Sequence, residues 1–333
     1  KGSLRHVTTQ LSKSPEEHFS DIRRDISLAR EAGLEVNLYL EDWSNGMKDS
    51  PSYVFDMVRA LKDCQIKRFM LPDTLGVLSC EQTFDFVSRM VEAFPDLHFD
   101  YHGHNDYDLA VANSAAAVRA GVRGVHTTVN GLGERTGNTP TASFVAVMND
   151  LLGVGNSLNE NELTHVCRYV ESISGIRIPE NKPIVGAAVF TQSAGIHADG
   201  DKKGHLYESQ LLPQRFGRVR KYALGKTSGK ANIAKNLETL GIRLNAEQLR
   251  KVTSRVVELG DKKEMVTTED LPYIISDVLK GEFAQGEDRI KVVNYSLQLA
   301  KGMRPVATIR ISIEGSEYEE DSSGAGQYDA CMK

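Results

Sequence analysis

The sequence predicts an α/β fold made of parallel β-α units, followed by a helical region and then a small antiparallel β segment. Three observations predict it. Strand-like apolar runs begin near residues 36, 66, 97 and 122, about thirty residues apart, the length of one β-α unit. An amphipathic helical stretch follows each run, so successive strands lie parallel with right-handed crossovers. After residue 153 the rhythm stops: helices follow, and from about residue 287 apolar residues alternate with polar ones. The expected divisions are 1–153, 154–286 and 287–333.

In chain order, Ser14-Pro15-Glu16-Glu17 is a capping box with Pro at the first helical position. Phe19, Ile22, Ile26 and Ala29 follow at helical spacing, and Gly33 supplies the stop. Val36 to Leu40 reads as a strand, and Ser50-Pro51 opens a helix carrying Val54, Met57, Val58 and Leu61. Strands are then expected at Ile66 to Leu71, Leu97 to Tyr101 and Val122 to Val129. The helices between and after them are Glu81 to Phe94, Leu109 to Ala120 and Ala142 to Leu152. Further helices are expected over 158–175, Ala231 to Leu240, Ala246 to Leu259 and Thr268 to Leu279. Ala307 to Ile313 alternates, and Glu314-Gly315 is a hairpin turn before Tyr318. Two architectures fit the parallel units: an open doubly wound sheet, or part of a (β/α)8 barrel. Both place the active site at the carboxyl ends of the strands. There stand Glu41-Asp42, Asp73-Thr74, His104-Asn105-Asp106 and Asn130.

The composition is that of a soluble globular protein: 333 residues, 40% hydrophobic, 26% charged, net charge −5. No basic excess points to nucleic acid. The dense basic stretch Arg215 to Lys221 reads as a solvated loop. No apolar run is long enough to span a membrane, and the first residues lack a signal-peptide core. The four cysteines are not paired as C-x-x-C and read as reduced thiols of a cytoplasmic protein. The chain starts at Lys1 without Met and stops after Cys331-Met332-Lys333. It is therefore expected to be cut at both ends, with room for a targeting segment upstream.

The sharpest chemical signal is Tyr101-His102-Gly103-His104-Asn105-Asp106. Residues i and i+2 of a strand face the same way, so His102 and His104 project together at a strand's carboxyl end, as two ligands of one metal site do. An oxygen-rich divalent site also wants a carboxylate. Asp100 and Asp106 share the parity and are candidates, as ligands or as groups orienting the imidazoles. The second signal is the glycine-rich stretch Asn130-Gly131-Leu132-Gly133-Glu134-Arg135-Thr136-Gly137-Asn138. It matches neither a dinucleotide fingerprint nor a P-loop. Glu134 can pair with Arg135, and Asn138 offers an oxygen.

His102-Gly103-His104-Asn105-Asp106 followed by Asn130 to Asn138 resembles the paired signature of the isopropylmalate, homocitrate and citramalate synthase family. Leu38-Tyr39-Leu40-Glu41-Asp42 and Leu71-Pro72-Asp73-Thr74-Leu75-Gly76 are similar to two further strand-end motifs. Gly195-Ile196-His197-Ala198-Asp199 and Leu224 to Lys230 resemble its helical subdomains, and Ser322 to Ala330 a loop of its regulatory domain. The resemblance implies the C-terminal half of a (β/α)8 TIM barrel, from the end of strand four to helix eight, then helical linker subdomains and the start of a β-rich regulatory domain. The family's first-strand motif, with its metal-binding Asp, is absent from this sequence. The segment alone is therefore expected to be inactive.

By that resemblance, His102, His104 and Asn138 would bind a divalent metal (Mg, Mn or Zn). Glu41 and His197 would be catalytic acid-base groups, with His197 reaching a partner subunit's site and so implying a homodimer. Thr74 would bind the carboxylate of a 2-oxo acid, and His6 would lie close to substrate. Acetyl-CoA would be the co-substrate. The implied reaction is condensation of acetyl-CoA with 2-oxoisovalerate to give 2-isopropylmalate and CoA, a step of leucine biosynthesis with leucine as feedback ligand. Taken alone, Glu41 also reads as a salt-bridged strand-end carboxylate, His197 as a loop histidine and Thr74 as a helix cap. Two positions depart from the family pattern: Tyr39, where a small hydroxyl residue is usual, and Met70, where Asn is common. Both bear on the acceptor's side chain, so pyruvate (citramalate synthase) and 2-oxoglutarate (homocitrate synthase) stay open. A lyase of the same superfamily and a non-catalytic amino-acid sensor are the other readings.

Overall fold

Ser14 opens the first long helix as the capping box requires: its Oγ accepts from the N–H of Glu17, and Glu17 reaches back to the N–H of Ser14 at 2.8 Å. The computed structural model describes residues 1–192, 204, 206, 208–226, 228–262, 266–279, 290–300, 302–313 and 315–332. It divides into two units: 1–192 with 203–221, and 193–202 with 222–333.

In the first unit, α1 (Leu4–Thr9) and α2 (Pro15–Glu31) precede the β-α repeats. Four strands follow: β1 (Asn37–Tyr39), β2 (Arg68–Asp73), β3 (Phe99–Gly103) and β4 (Gly124–His126). They form one sheet in the order β1-β2-β3-β4, every pair parallel. Between them lie α3 (Trp43–Asp49), α4 (Pro51–Leu61), α5 (Cys80–Ala93) and α6 (Ala110–Arg119). The periodicity of the sequence anticipates these strands within a few residues. The helix expected over Ala142 to Leu152 splits into α7 (Thr141–Val147) and a π-helical turn, Met148–Leu152, before α8 (Leu163–Ser174).

The register sorts the sheet into two faces. Leu38 lies beside Phe69 and Phe69 beside Phe99; Leu71 lies beside Tyr101 and Tyr101 beside Val125. These rows pack under Trp43, Val54, Met57, Leu61, Val87 and Met90 of the covering helices, and this is the main core. On the other face, Tyr39, Met70, Asp100 and Gly124 form one row, and Pro72, His102 and His126 the row beyond it.

The basic stretch is not a solvated loop. Arg215 forks onto Glu160 and also binds Asp150, while Arg218 donates to the carbonyl oxygens of Val185, Gly186 and Ala187. In the second unit, helices Lys230–Thr239, Ala246–Asp261 and Leu271–Val278 share a small core around Ile233, Val252, Val256 and Leu271. The alternating segments form an antiparallel sheet of Ile290–Gln298, Val306–Ile313 and Ser316–Ser323, followed by the short helix Gln327–Met332. Gly315, at φ +87°, occupies the expected hairpin turn, where a side chain would be strained. Among the described residues, no helix is long and apolar enough to cross a membrane.

Candidate metal and acceptor site

Strand β3 carries His102, and His104 stands just beyond its end, bridged to Asn138; the alternation of side chains turns both the same way. Their Nε2 atoms face each other at 3.3 Å, with the rings edge to face. Burial, with the His104 and His126 imidazoles alongside, pushes His102 down to about 4. Burial, with Arg135 nearby, lowers His104 as well. Both rings are thus neutral at pH 7, the form that ligates a cation.

The glycine-rich loop brings Asn138 to the same place. Its backbone bridges His104, its Nδ2 donates to the carbonyl of Leu132, and its buried Oδ1 has no partner. The loop's tightness depends on glycine: a Cβ at Gly137, where φ is +90°, would lie 1.9 Å from the carbonyl oxygen of Gly131. Two converging neutral imidazoles and an unpartnered amide oxygen fit a divalent cation. Among the described residues, no cluster of three His, Cys, Asp or Glu side chains forms, so these residues supply no third strong ligand.

The two aspartates considered beside the histidines are engaged elsewhere. Asp106 is gripped by Arg135 at 2.8 and 2.9 Å, which holds its carboxyl below the usual range. Arg135 also donates to the carbonyl of Thr74 at 2.8 Å, tying the glycine-rich loop to the end of β2, and its contact with Glu134 is longer, 3.7 Å. Asp100 is fully buried. It accepts from His98 at 2.8 Å, His126 at 3.3 Å and Arg68 at 3.4 Å.

Glu41 follows β1 and is half exposed, paired with Lys1 at 2.6 Å; the Lys1 hydrogen bond holds its carboxyl below the usual range. Asp42 beside it is the organiser of this turn. It is buried, with φ +65°, and accepts from Ser3 at 2.6 Å and Asn45 at 2.7 Å. His6 Nε2 lies 3.5 Å from the same carboxylate. The backbone N–H of Asp42 donates to Thr74 Oγ1 at 2.9 Å. So Thr74 caps the end of the neighbouring strand rather than a helix, and its own proton stays available to donate. His6, Asp42 and Thr74 thereby form one cluster next to Glu41. His197 lies outside the described residues.

A second network was not foreseen. Tyr39 OH meets His126 Nδ1 at 2.6 Å, and His126 Nε2 meets Asp100 at 3.3 Å. The Tyr39 and His126 rings stand 6.0 and 5.8 Å from the His102 ring. Strand parity alone hints at part of it, since Tyr39 aligns with Glu41 and Asp100 with His102. The pairing across β1, β3 and β4 needs the register.

Residues 1–170, over half of the chain, match the HMGL-like family. The chain belongs to that family. Beyond the HMGL-like part, residues 184–264 match the homocitrate synthase post-HMGL domain-like family, and residues 265–333 the LeuA allosteric (dimerisation) domain. A putative (R)-citramalate synthase of Methanopyrus kandleri is 36% identical over 98% of this chain and 64% of its own length. A probable 2-isopropylmalate synthase of the same organism is 35% identical over 98% of this chain and 65% of its own. The chain thus spans just under two thirds of these relatives. A Bacillus subtilis HMG-CoA lyase crystal structure aligns with TM-score 0.47 at 20% identity, over 54% of this chain and 62% of that one.

Proposed function

We propose that the complete protein is a divalent-metal-dependent synthase that condenses acetyl-CoA with a 2-oxo acid and releases CoA. The observation that carries this is the pair of facing imidazoles, His102 and His104, with Asn138 bridged to His104 through its backbone, within an HMGL-like chain. These three residues would hold the cation. When bound, it supplies Lewis-acid polarisation of the acceptor's carbonyl. Thr74 would donate its hydroxyl proton to the acceptor's carboxylate, with His6 beside it. Glu41 would take a proton from the acetyl methyl group, and the resulting carbon nucleophile would form the new C–C bond to C2 of the acceptor. His197, carried by a partner subunit in a homodimer, would protonate the alkoxide. Water then cleaves the thioester, giving a hydroxy dicarboxylate and free CoA. The match of residues 265–333 to the LeuA allosteric (dimerisation) domain supports the dimer and an amino-acid effector, leucine. Together with the unpaired cysteines, this supports a cytoplasmic enzyme.

Two acceptors are in view: 2-oxoisovalerate, giving 2-isopropylmalate, and pyruvate, giving citramalate. The relatives' names divide between them. The resemblance makes position 39 a lining residue of the acceptor's side-chain pocket, and the bulk of Tyr39 there favours the smaller acid. Thiol release from acetyl-CoA, measured with a panel of 2-oxo acids before and after chelation, tests both points. Release that chelation abolishes and a divalent ion restores supports the synthase, and the preferred acid names the product. No release from folded, metal-loaded protein with any acid would refute it.

A further inference from the structure

Helix α8 is apolar over a wider arc than the first unit covers. Leu163 and Cys167 are buried in one cluster with Val145, Ile184 and Phe216, and that is the face an amphipathic helix hides. A second apolar row lies about a third of a turn round from it. It consists of Val166, Tyr169 and Ile173, extended by Ile176 just past the Gly175 cap, and these side chains are 41 to 67% exposed. Counted from Glu162 at the N-cap, the row repeats at spacings of four, three, four and three residues, the seam by which one helix packs along another. Its ends carry opposite charge. Glu162 and Arg177 are both exposed, and neither forms an ion pair among the described residues. Arg168 and Glu171, on a different side of the helix, satisfy each other at 2.9 Å. The row is also symmetric in content. Glu162 and Arg177, and likewise Val166 and Ile173, stand at equal distances along the chain from the midpoint between Tyr169 and Val170.

We infer that α8 is a contact between two copies of this chain, packing antiparallel against itself across a two-fold axis near Tyr169. An isologous contact needs a surface complementary to itself. Turned end for end, Glu162 of each copy meets Arg177 of the other, Val166 meets Ile173, and the two Tyr169 rings flank the axis. The occupant is a second copy rather than an unrelated helix, because one axis satisfies the charged pair and the apolar pair together. A parallel copy would set like charge against like. Large apolar side chains left open along a whole helix mark a contact surface. The contact lies on the first unit, so it is separate from the dimerisation that the match of residues 265–333 supports, and it requires no particular reaction. It also bears on the candidate site. Asn130 Nδ2 donates to the carbonyl of Cys167 at 2.9 Å, so the helix that docks is the one bracing the glycine-rich loop.

The test uses the complete protein carrying introduced cysteines, oxidised mildly and run on non-reducing gels beside wild type. These positions are exposed, so the changes leave the core intact. Tyr169→Cys should give a disulfide-linked dimer, because its two copies flank the axis. Val166→Cys or Ile173→Cys alone should not, since each lies about 10 Å along the helix from its own copy. The Val166→Cys/Ile173→Cys double variant should link again. Added to Tyr169→Cys, Glu162→Arg should slow linkage about tenfold, by losing two ion pairs and setting Arg against Arg. Adding Arg177→Glu to that variant should restore the rate. No linkage of Tyr169→Cys beyond wild type, equal linkage of all three single variants, or no rescue by Arg177→Glu would each overturn the inference. Thiol release by wild type is measured separately, so failure of the proposed reaction and failure of this contact are told apart.

Discussion

Gly124→Ala should cost far more than a methyl group in a strand ordinarily would. The added Cβ would lie 2.3 Å from Asp100 Oδ1, 2.7 Å from its Cγ and 3.1 Å from Oδ2. That is roughly 1 Å inside van der Waals contact. The carboxylate has nowhere to retreat, being fully buried and held by His98, His126 and Arg68. Overpacking alone costs about 1–3 kcal/mol, and displacing a buried charge from its partners about 3–5 kcal/mol. Partial relaxation of both strands places the expected loss at about 2–4 kcal/mol. Urea unfolding at pH 7 reads it directly, and a double-mutant cycle isolates its cause. In an Asp100→Ala background the same methyl group meets open space, so Gly124→Ala should cost under about 1 kcal/mol there. If Gly124→Ala alone costs less than about 0.5 kcal/mol, or if the two substitutions simply add, the collision with Asp100 is not what requires glycine.

Other outcomes follow from the same geometry. His102→Ala or His104→Ala should weaken divalent-metal binding at least about tenfold, measured as metal retained after gel filtration, and an unchanged metal content would refute the site. His102 is pushed to about 4 and His104 is lowered, while an unfolded imidazole titrates near 6.5. Between these values the unfolded chain binds protons that the folded chain refuses, so metal-free stability is fully present above pH 6.5 and falls as pH drops toward 4; equal urea midpoints at pH 7.5 and pH 5 would contradict this. Arg135→Ala removes a half-exposed ion pair and should change stability by under about 1 kcal/mol, yet it frees the glycine-rich loop from Thr74 and should raise the acceptor KM. Asp42→Ala loses its hydrogen bonds and keeps a side chain at φ +65°, whereas Asp42→Asn keeps a residue that tolerates that backbone. Alanine should therefore unfold at lower urea than asparagine, and the reverse order would show that the carboxylate contacts are not what holds the turn.

Strand and helix positions in the first unit were legible because each element carries its own period. Leu38, Phe69, Phe99 and their neighbours repeat at strand spacing, and Ser14 and Glu17 mark a helix start without tertiary help. His102 and His104 were legible for the same reason: two residues on one strand need no knowledge of its neighbours. What could not be read depends on register. Nothing along the chain says that Tyr39 stands in a row with Asp100, that Gly124 is small to admit a carboxylate, or that Asp106 belongs to Arg135 rather than to the histidines. Helix α3 was missed because Trp43 to Asp49 is short and contains Gly46, so its stability comes from burying Trp43 and Met47. Asp42 was passed over because its role rests on a left-handed backbone and on Ser3 and Thr74, distant in sequence.

The two faces of the sheet explain why the site can exist at all. A parallel sheet is ordinarily apolar on both faces, and the two adjacent rows that carry Tyr39 with Asp100 and His102 with His126 violate that pattern. The covered face compensates. Phe69, Leu71, Phe99 and Tyr101 are almost wholly buried beneath the helices, and they hold the strands in register whatever the other face carries. With the register fixed from one side, the opposite side can carry charged and titratable groups in set positions, each polar atom answered by a neighbouring strand. His102 and His104 are the exception: their Nδ1 atoms, like Asn138 Oδ1, are buried without partners. Orphaned polar atoms are expensive in a folded protein, and three of them fall on His102, His104 and Asn138, which the end of β3 and the backbone bridge from His104 to Asn138 bring side by side.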